Sequence, residues 1–84
     1  MGKNFLIKGN ICGHRIRLAR VNRRLEQKDL AREINFLGME MTPLIISRIE
    51  NNQRHVCDAE LLMFSKVLKY PMEWLCGEGD DLPK

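Results

Sequence analysis

Apolar residues recur at intervals of three and four along most of the chain, which is the spacing of amphipathic helices. The pattern predicts four helices near residues 10–24, 27–36, 42–51 and 58–69, and a short fifth that begins at Pro71. The first of them has Asn10 as its N-cap. The candidate core consists of the residues on the inner faces: Cys12, Ile16, Ala19, Leu30, Ala31, Ile34, Ile46, Ile49, Leu61, Phe64, Val67 or Leu68, Trp74 and Leu75. Short connections between five helices predict an all-α fold, a compact five-helix bundle.

The start of the third helix carries the clearest local signals. Thr42 can cap the helix, and Pro43 follows at the first helical position, where a missing N–H costs nothing. Met41 precedes the cap and can pack on Ile46 as a hydrophobic staple. Gly38 is predicted to end the second helix, because glycine accepts the left-handed backbone that often ends helices.

Charge is divided unevenly along the 84 residues, which carry a formal net charge of +3. Residues 1–54 hold eleven Lys and Arg against five Asp and Glu, whereas residues 55–84 hold three against six. The basic part favours nucleic acid as a partner, with an ordinary solvated surface as the alternative. Residues 1–9 are predicted to be an N-terminal arm, either frayed or with a short strand at residues 5–7. Residues 78–84 are predicted to be an acidic flexible tail.

The chemically reactive residues point to no enzyme, metal site or cofactor. The three cysteines are an odd number, and the sequence shows no signal peptide and no apolar run of membrane length, so we expect a cytoplasmic chain with reduced thiols. Neighbouring Cys and His at residues 12–14 and 55–57 fit no standard zinc motif. Ser47 has no evident His and acidic partners for catalysis. We therefore expect no metal, no cofactor, no small-molecule substrate and no membrane contact.

Four segments of the chain, in order, resemble the Cro and lambda-repressor type of helix-turn-helix DNA-binding domain. They are NICGHRIR at residues 10–17, QKDLA at 27–31, ISRIEN at 46–51 and EWL at 73–75. The resemblance implies a lambda-repressor-like domain over residues 10–77, with double-stranded DNA as its partner, in a bacterial or phage-type, nucleoid-associated setting. In that family the second helix braces on the DNA backbone, and the third, here residues 42–51, lies in the major groove.

The resemblance also implies roles for individual residues. Those implied to contact phosphates are Gln27, Arg20, Asn52 and Arg54. Those implied to contact bases are Pro43, Leu44, Ser47 and Arg48. Arg20 and Glu50 match an ion pair that holds the recognition helix near the DNA face, the alternative being two solvated charges.

Several positions depart from the family pattern. Fourteen residues separate Ala31 from Ile46, about five more than in the short form of the family. The turn between helices 2 and 3 is therefore predicted to be extended by residues 36–40. Glu26 replaces the usual capping Ser or Thr, which predicts a weaker cap. Arg24 replaces a common glycine after the first helix.

The first turn of the recognition helix is unusual for a surface that reads bases. Apolar side chains can touch a thymine methyl but form no hydrogen bond with a base edge, and this turn consists of Pro43, Leu44 and Ile45. Arg48 can bind guanine, and Ser47 can reach a base or a phosphate. We therefore expect modest direct readout, with a larger share from phosphates and DNA shape. The alternative for Leu44 and Ile45 is packing in the core or at an interface.

The sequence as a whole predicts a DNA-binding transcriptional regulator, and specifically a repressor that acts as a homodimer on two-fold operators. Met72, Trp74 and Cys76 are the candidate apolar patch for the dimer. The alternative is a protein-interaction module, or an antitoxin-type partner, that keeps the fold without reading bases. Exposure of Leu44 and Ile45 favours DNA, whereas their burial against another chain favours the alternative.

Overall fold

The computed structural model describes residues 9–80, and five helices account for most of them. They are α1 (Gly13–Asn22), α2 (Gln27–Phe36), α3 (Pro43–Glu50), α4 (Asp58–Leu68) and α5 (Met72–Leu75). This part of the chain contains no strand, and no helix in it is long and apolar enough to cross a membrane. The predicted all-α, five-helix bundle is therefore confirmed. Residues 1–8 of the predicted arm, with the alternative strand, and residues 81–84 of the predicted tail lie outside the described residues.

The inner faces of α1, α2, α3 and α4 meet in one core, to which α5 contributes Leu75. The buried residues are Cys12, Ile16, Ala19, Leu30, Ala31, Ile34, Met41, Ile46, Ile49, Phe64, Leu68, Tyr70 and Leu75. Most of them follow from helical spacing alone. Leu61, Val67 and Trp74 are only partly buried at the edge of the core. Tyr70 lies in the connection between α4 and α5, outside any helical pattern, and its burial was not predicted.

Both ends of α1 differ from the prediction. The helix begins at Gly13, three residues after the predicted N-cap. The N-cap is Cys12, and the predicted cap Asn10 lies two residues before it, where its Oδ1 accepts hydrogen bonds from the N–H groups of Cys12 at 2.8 Å and Gly13 at 2.5 Å. The helix stops at Asn22, and Arg24 follows with φ 60°. Glycine is common at that position in the family because it adopts this left-handed conformation without a steric cost.

Asn35 holds the extended turn between α2 and α3. Its Nδ2 donates to the carbonyl oxygens of Ala31 and Met41, both at 2.8 Å, and its Oδ1 accepts from the Met41 N–H at 3.0 Å. Gly38 has φ 101° in the same turn, as expected of the residue that follows a helix end. Asn35 therefore bridges the inserted residues 36–40 and connects the end of α2 to Met41, two residues before α3.

The residues after α5 fold back onto α1. Arg15 Nη1 donates to the carbonyl oxygens of Trp74 at 3.1 Å and Glu78 at 2.8 Å, and Nη2 donates to that of Gly79 at 2.8 Å. The same guanidinium lies 4.7 Å from the centroid of the Trp74 ring. Trp74 Nε1 in turn donates to the Asp80 carbonyl oxygen at 2.5 Å. One guanidinium and one indole therefore bind the carbonyl groups of residues 78–80, the first residues of the predicted tail.

Candidate nucleic-acid interface

α3 presents one side to the core and the other to solvent. Its N-terminus forms as the sequence predicts, with Pro43 at the first helical position and Thr42 Oγ1 accepting from the Ile45 N–H at 3.1 Å. Ile46 and Ile49 are fully buried on the inner side. The outer side carries, at the i, i+3, i+4 and i+7 spacing of one helix face, Leu44, Ser47, Arg48 and Asn51.

The outer side of α3 combines an apolar first turn with a polar second turn. Leu44 is 60% exposed, whereas Ile45 is partly buried and packs against the core. Ser47 Oγ accepts a hydrogen bond from Asn51 Nδ2 at 3.3 Å. The guanidinium of Arg48 is exposed and has no hydrogen-bond or ion-pair partner within residues 9–80. A guanidinium and two polar side chains thus project next to an apolar one.

An ion pair between α1 and α3 holds the C-terminal end of α3. Arg20 Nε and Nη2 donate to the two carboxylate oxygens of Glu50, at 2.6 and 3.0 Å, while Nη1 donates to the Leu25 carbonyl oxygen at 2.8 Å. The two charged side chains are 13% and 3% exposed, respectively. Gln27, the first residue of α2, donates from Nε2 to Glu50 Oε1 at 3.1 Å. Three helices therefore converge on one carboxylate, which orients α3 relative to α1 and α2.

The segment before α1 lies against the turn that follows α3. Asn10 Nδ2 donates to the carbonyl oxygens of Ile49 at 3.0 Å and Arg54 at 2.8 Å. The Asn10 N–H donates to Oδ1 of Asn52 at 2.7 Å, and Asn52 itself has φ 61°. A Cβ on Gly13 would collide with the Ile49 carbonyl oxygen, so the close approach of α1 to α3 requires glycine there. The end of α3 is thus held by a second set of contacts besides the ion pair.

The helices that form this surface fall within a segment that matches a known protein family. A family model described as helix-turn-helix matches residues 16–75, which span α2 to α5 and most of α1. The chain belongs to the Cro and lambda-repressor type of helix-turn-helix family. Comparisons with curated proteins and with solved structures gave no match. The protein is therefore a DNA-binding helix-turn-helix regulator, and the resemblance read from the sequence is confirmed.

In this helix-turn-helix protein, Arg54 forms an ion pair that the sequence reasoning missed. Its Nη1 and Nη2 donate to the two carboxylate oxygens of Glu60 at 3.0 and 2.9 Å, and Nη1 also donates to the His55 carbonyl oxygen at 3.0 Å. The Cys57 N–H donates to the same carboxylate at 3.1 Å. Burial acts to raise the pKa of Glu60, but the hydrogen bonds from Arg54 and Cys57 outweigh it and lower the pKa.

The ion pair with Glu60 affects the predicted phosphate contact at Arg54. Its charge is partly neutralised by Glu60, although 34% of its side chain stays exposed to solvent. The spacing of Cys57 and Glu60 is that of a capping box, which was the available signal that the Glu60 side chain turns back to the start of α4.

Gln27 also has competing neighbours, because the N-terminus of α2 is acidic. The Gln27 amide donates to Glu50. Glu26 comes directly before Gln27, and Asp29 comes two residues after it. The Glu26 N–H donates to Asp29 Oδ2 at 2.9 Å, and this hydrogen bond is the main reason that the pKa of Asp29 is lowered. Asp29 thereby reinforces the cap that Glu26 alone was predicted to weaken. Lys28 offsets part of the negative charge, with its Nζ 3.5 Å from Glu26 Oε1.

Arg17 and Asn51 are two exposed residues that lie beside those predicted to contact DNA. Gly13, Arg17 and Arg20 are spaced at i, i+4 and i+7 on α1, and the first and last of these contact the end of α3. Arg17 is exposed, and no residue in the described part of the chain forms a hydrogen bond or ion pair with it. The helical spacing of Arg17 and Arg20 in the sequence was the signal that could have placed Arg17 on the same side of α1 as Arg20. Asn51 joins the outer side of α3 one turn beyond Ser47.

Proposed function

We propose that this protein is a transcriptional repressor that inserts α3 into the major groove of double-stranded DNA. The observation that carries the proposal is that the end of α3 is held by both the Arg20–Glu50 pair and Asn10, while its outer side stays exposed. A helix supported in this way keeps its side chains at defined positions along the groove. A protein bound there excludes others from the same DNA, which is the physical basis of repression.

The base contacts fall on the outer side of α3. Arg48 binds guanine, because an unpaired guanidinium matches the O6 and N7 acceptors of that base. Leu44 and Pro43 contact thymine methyl groups, and Ser47 reaches a base edge or a phosphate. Asn51 adds an amide that can pair with adenine. With a single cation on this surface, direct readout remains modest, and DNA shape contributes to specificity.

Phosphate contacts surround this surface. Arg17 and Arg54 supply positive charge, which attracts the DNA backbone and makes binding sensitive to salt. Gln27 and Asn52 contribute amide groups, while Arg20 mainly positions α3 through Glu50 and turns its remaining exposed edge towards the backbone. Contacts of this kind set the register of the protein on DNA and carry no direct sequence information.

The repressor acts as a homodimer in the cytoplasm of a bacterium or of a phage-infected cell. Two-fold operators suit dimers of this fold, because the two recognition helices, one from each subunit, then lie in successive major grooves. The patch predicted for the dimer consists of Met72, Trp74 and Cys76, all half-buried. Arg15 already covers part of Trp74, so only some of this patch is available to a second subunit.

A protein partner is the second candidate function, and it has a surface of its own. Phe36 is 87% exposed and Leu37 is 50% exposed at the C-terminal end of α2, and adjacent exposed apolar side chains favour a protein partner at this end of the helix. In the first turn of α3, Leu44 is exposed and Ile45 packs against the core of its own chain. A partner on Phe36, including a toxin, would leave α3 free for DNA.

Selection of bound sites from random duplex DNA at a stated salt concentration tests the DNA-binding proposal, followed by titration of the selected site by fluorescence anisotropy. Arg48→Ala should lower discrimination against a changed base pair by roughly tenfold. Arg17→Ala should weaken binding to all sequences and reduce the salt slope by about one. Lys66→Ala is the matched control, since Lys66 is exposed on α4 beside Phe36, in a groove to which α3 contributes no residue.

The proposal fails if no sequence is enriched. It also fails if Lys66→Ala weakens binding as much as Arg17→Ala, because binding would then follow net charge without involving the α1 and α3 surface.

A further inference from the structure

Two of the three cysteines lie next to each other although 63 residues separate them in sequence. Cys12 Sγ and Cys76 Sγ are 3.9 Å apart, and both thiols are free. Cys12 immediately precedes α1, and Cys76 immediately follows α5. Cys57, the third cysteine, is exposed at the start of α4. The pair therefore brings the start of the first helix next to the end of the last one.

We propose that Cys12 and Cys76 form an oxidisable dithiol, which closes to an intramolecular disulfide in the presence of a low-molecular-weight disulfide. The bond needs a sulfur–sulfur distance of about 2.05 Å, so the two sulfur atoms must approach by roughly 2 Å. Cys12 is the N-cap of α1 and Cys76 is the C-cap of α5, so both sulfur atoms are carried by residues at helix ends. This inference goes beyond the proposed DNA-binding function and does not depend on it.

The reaction proceeds by two thiol–disulfide exchanges. In the first, the Cys76 thiolate attacks one sulfur of the small disulfide, forms a mixed disulfide and releases one small thiolate. In the second, Cys12 loses its proton to solvent and its thiolate attacks Cys76 Sγ, the bond to the small sulfur breaks, and the second small thiolate leaves and takes up a proton. Two protein thiols are oxidised and one small disulfide is reduced to two small thiols, so atoms and electrons balance.

The surroundings of the two thiols set this order. Cys76 is half-buried and can be reached from solvent, whereas Cys12 is buried. Burial, reinforced by the neighbouring Cys76, raises the pKa of Cys12 to about 12, so Cys76 is the thiol that reacts first with a small oxidant. Once Cys76 carries the mixed disulfide, Cys12 is the adjacent thiol that resolves it.

The disulfide covalently connects the start of α1 to the end of α5. The loop between Cys12 and Cys76 contains all five helices, so the disulfide restricts the whole domain in its unfolded state and stabilises the folded one. It also ties down the start of α1 at Gly13, the residue that approaches the end of α3. Oxidation is therefore expected to strengthen the contact that supports α3 and to leave its outer side unchanged.

Peptide mapping tests the pair directly. The full chain is equilibrated with mixtures of glutathione and glutathione disulfide, alkylated and digested with trypsin without reduction. Each cysteine then lies in a separate peptide, namely residues 9–15, 55–66 and 70–84. We expect peptide 9–15 linked to peptide 70–84, with the mass of two hydrogens lost. The melting temperature of the oxidised protein should exceed that of the reduced protein by about 10 °C.

Single substitutions provide the controls. Cys57→Ser should keep both the linked peptides and the rise in melting temperature. Cys76→Ser, at a half-buried position that tolerates a hydroxyl better than Cys12 does, should abolish both while the reduced protein still melts cooperatively. Linkage that involves peptide 55–66, a stable glutathione adduct on Cys76 without linkage to Cys12, or linkage without a higher melting temperature would each overturn the proposal.

Discussion

The Arg20 guanidinium of α1 donates two hydrogen bonds, at 2.6 and 3.0 Å, to the Glu50 carboxylate at the end of α3. Glu50 is almost completely buried, and Arg20 is mostly so. A buried pair of this kind adds little stability relative to apolar replacements, but a single remaining charge is costly. The Arg20–Glu50 ion pair therefore contributes more to the position of α3 than to the stability of the fold.

Removing one partner of this pair should be strongly destabilising. We expect Glu50→Leu to lower the free energy of unfolding by about 3 kcal/mol, because Arg20 is left without a counter-charge in a poorly solvated position. The double variant Arg20→Met/Glu50→Leu should cost clearly less than the sum of the single variants. Urea denaturation of the four proteins measures both quantities. Additive losses would show that the two charges are independently solvated.

Gly13→Ala should destabilise the protein although it improves intrinsic helix propensity. Propensity alone predicts a gain of about 1 kcal/mol within α1. The Cβ, however, meets the backbone carbonyl of Ile49, which cannot move without shifting α3, so we expect a loss of about 2 kcal/mol. Gly38→Ala is the comparison, since it meets no atom but has φ 101°, and should cost about 1 kcal/mol. A more stable Gly13→Ala protein would contradict the close approach of α1 and α3.

Arg24→Gly should stabilise the protein by about 1 kcal/mol, because Arg24 has φ 60° and glycine adopts this conformation without the Cβ penalty. Arg24→Ala is the matched control: it removes the same charge and keeps the Cβ, so it should give no gain. Thermal denaturation of the three proteins at one salt concentration separates the effects. Equal stabilisation by Ala and Gly would assign the effect to charge.

Glu60 should make stability sensitive to acid. Its pKa is lower in the folded protein than the ordinary value of about 4.3 in the unfolded chain. The unfolded chain therefore binds more protons between these two values, and the free energy of unfolding rises with pH there. The stability that Glu60 contributes is fully present above its ordinary pKa and is lost as the pH falls through its lower pKa in the folded protein.

Melting temperatures measured from about pH 6 down to about pH 3 test this dependence. The wild-type protein should lose more stability on acidification than Glu60→Gln. Asp29 acts in the same direction because its pKa is also lowered, so the double variant with Asp29→Asn should have the flattest profile. Parallel profiles for the wild type and Glu60→Gln would contradict the ion pair with Arg54.

The same variant tests whether Arg54 contacts phosphate. Glu60→Gln removes the carboxylate that engages both Nη atoms of Arg54, and the freed guanidinium should bind DNA several-fold more tightly, with a steeper salt dependence. Glu73→Gln, at an exposed position of α5, changes the net charge by the same amount and serves as the control. Equal gains from both variants would point to net charge alone.

The sequence by itself determined the helices, their inner faces and the start of α3. These features depend on local rules: helical spacing of apolar residues, proline at the first position, and a Thr42 hydroxyl within reach of the Ile45 N–H. The same spacing places Leu44 and Arg48 on one side of α3, so the outer side of that helix also follows from sequence.

Only the tertiary structure decided which polar and reactive groups meet. Arg54 lies near Glu60 in sequence, yet its choice of a carboxylate over solvent depends on how the chain turns between α3 and α4. The approach of Gly13 to the Ile49 carbonyl and that of Cys12 to Cys76 join residues far apart in the chain, and no local periodicity encodes them. Such contacts arise when the packed core fixes the relative positions of the helices, because dense packing leaves each side chain few alternatives.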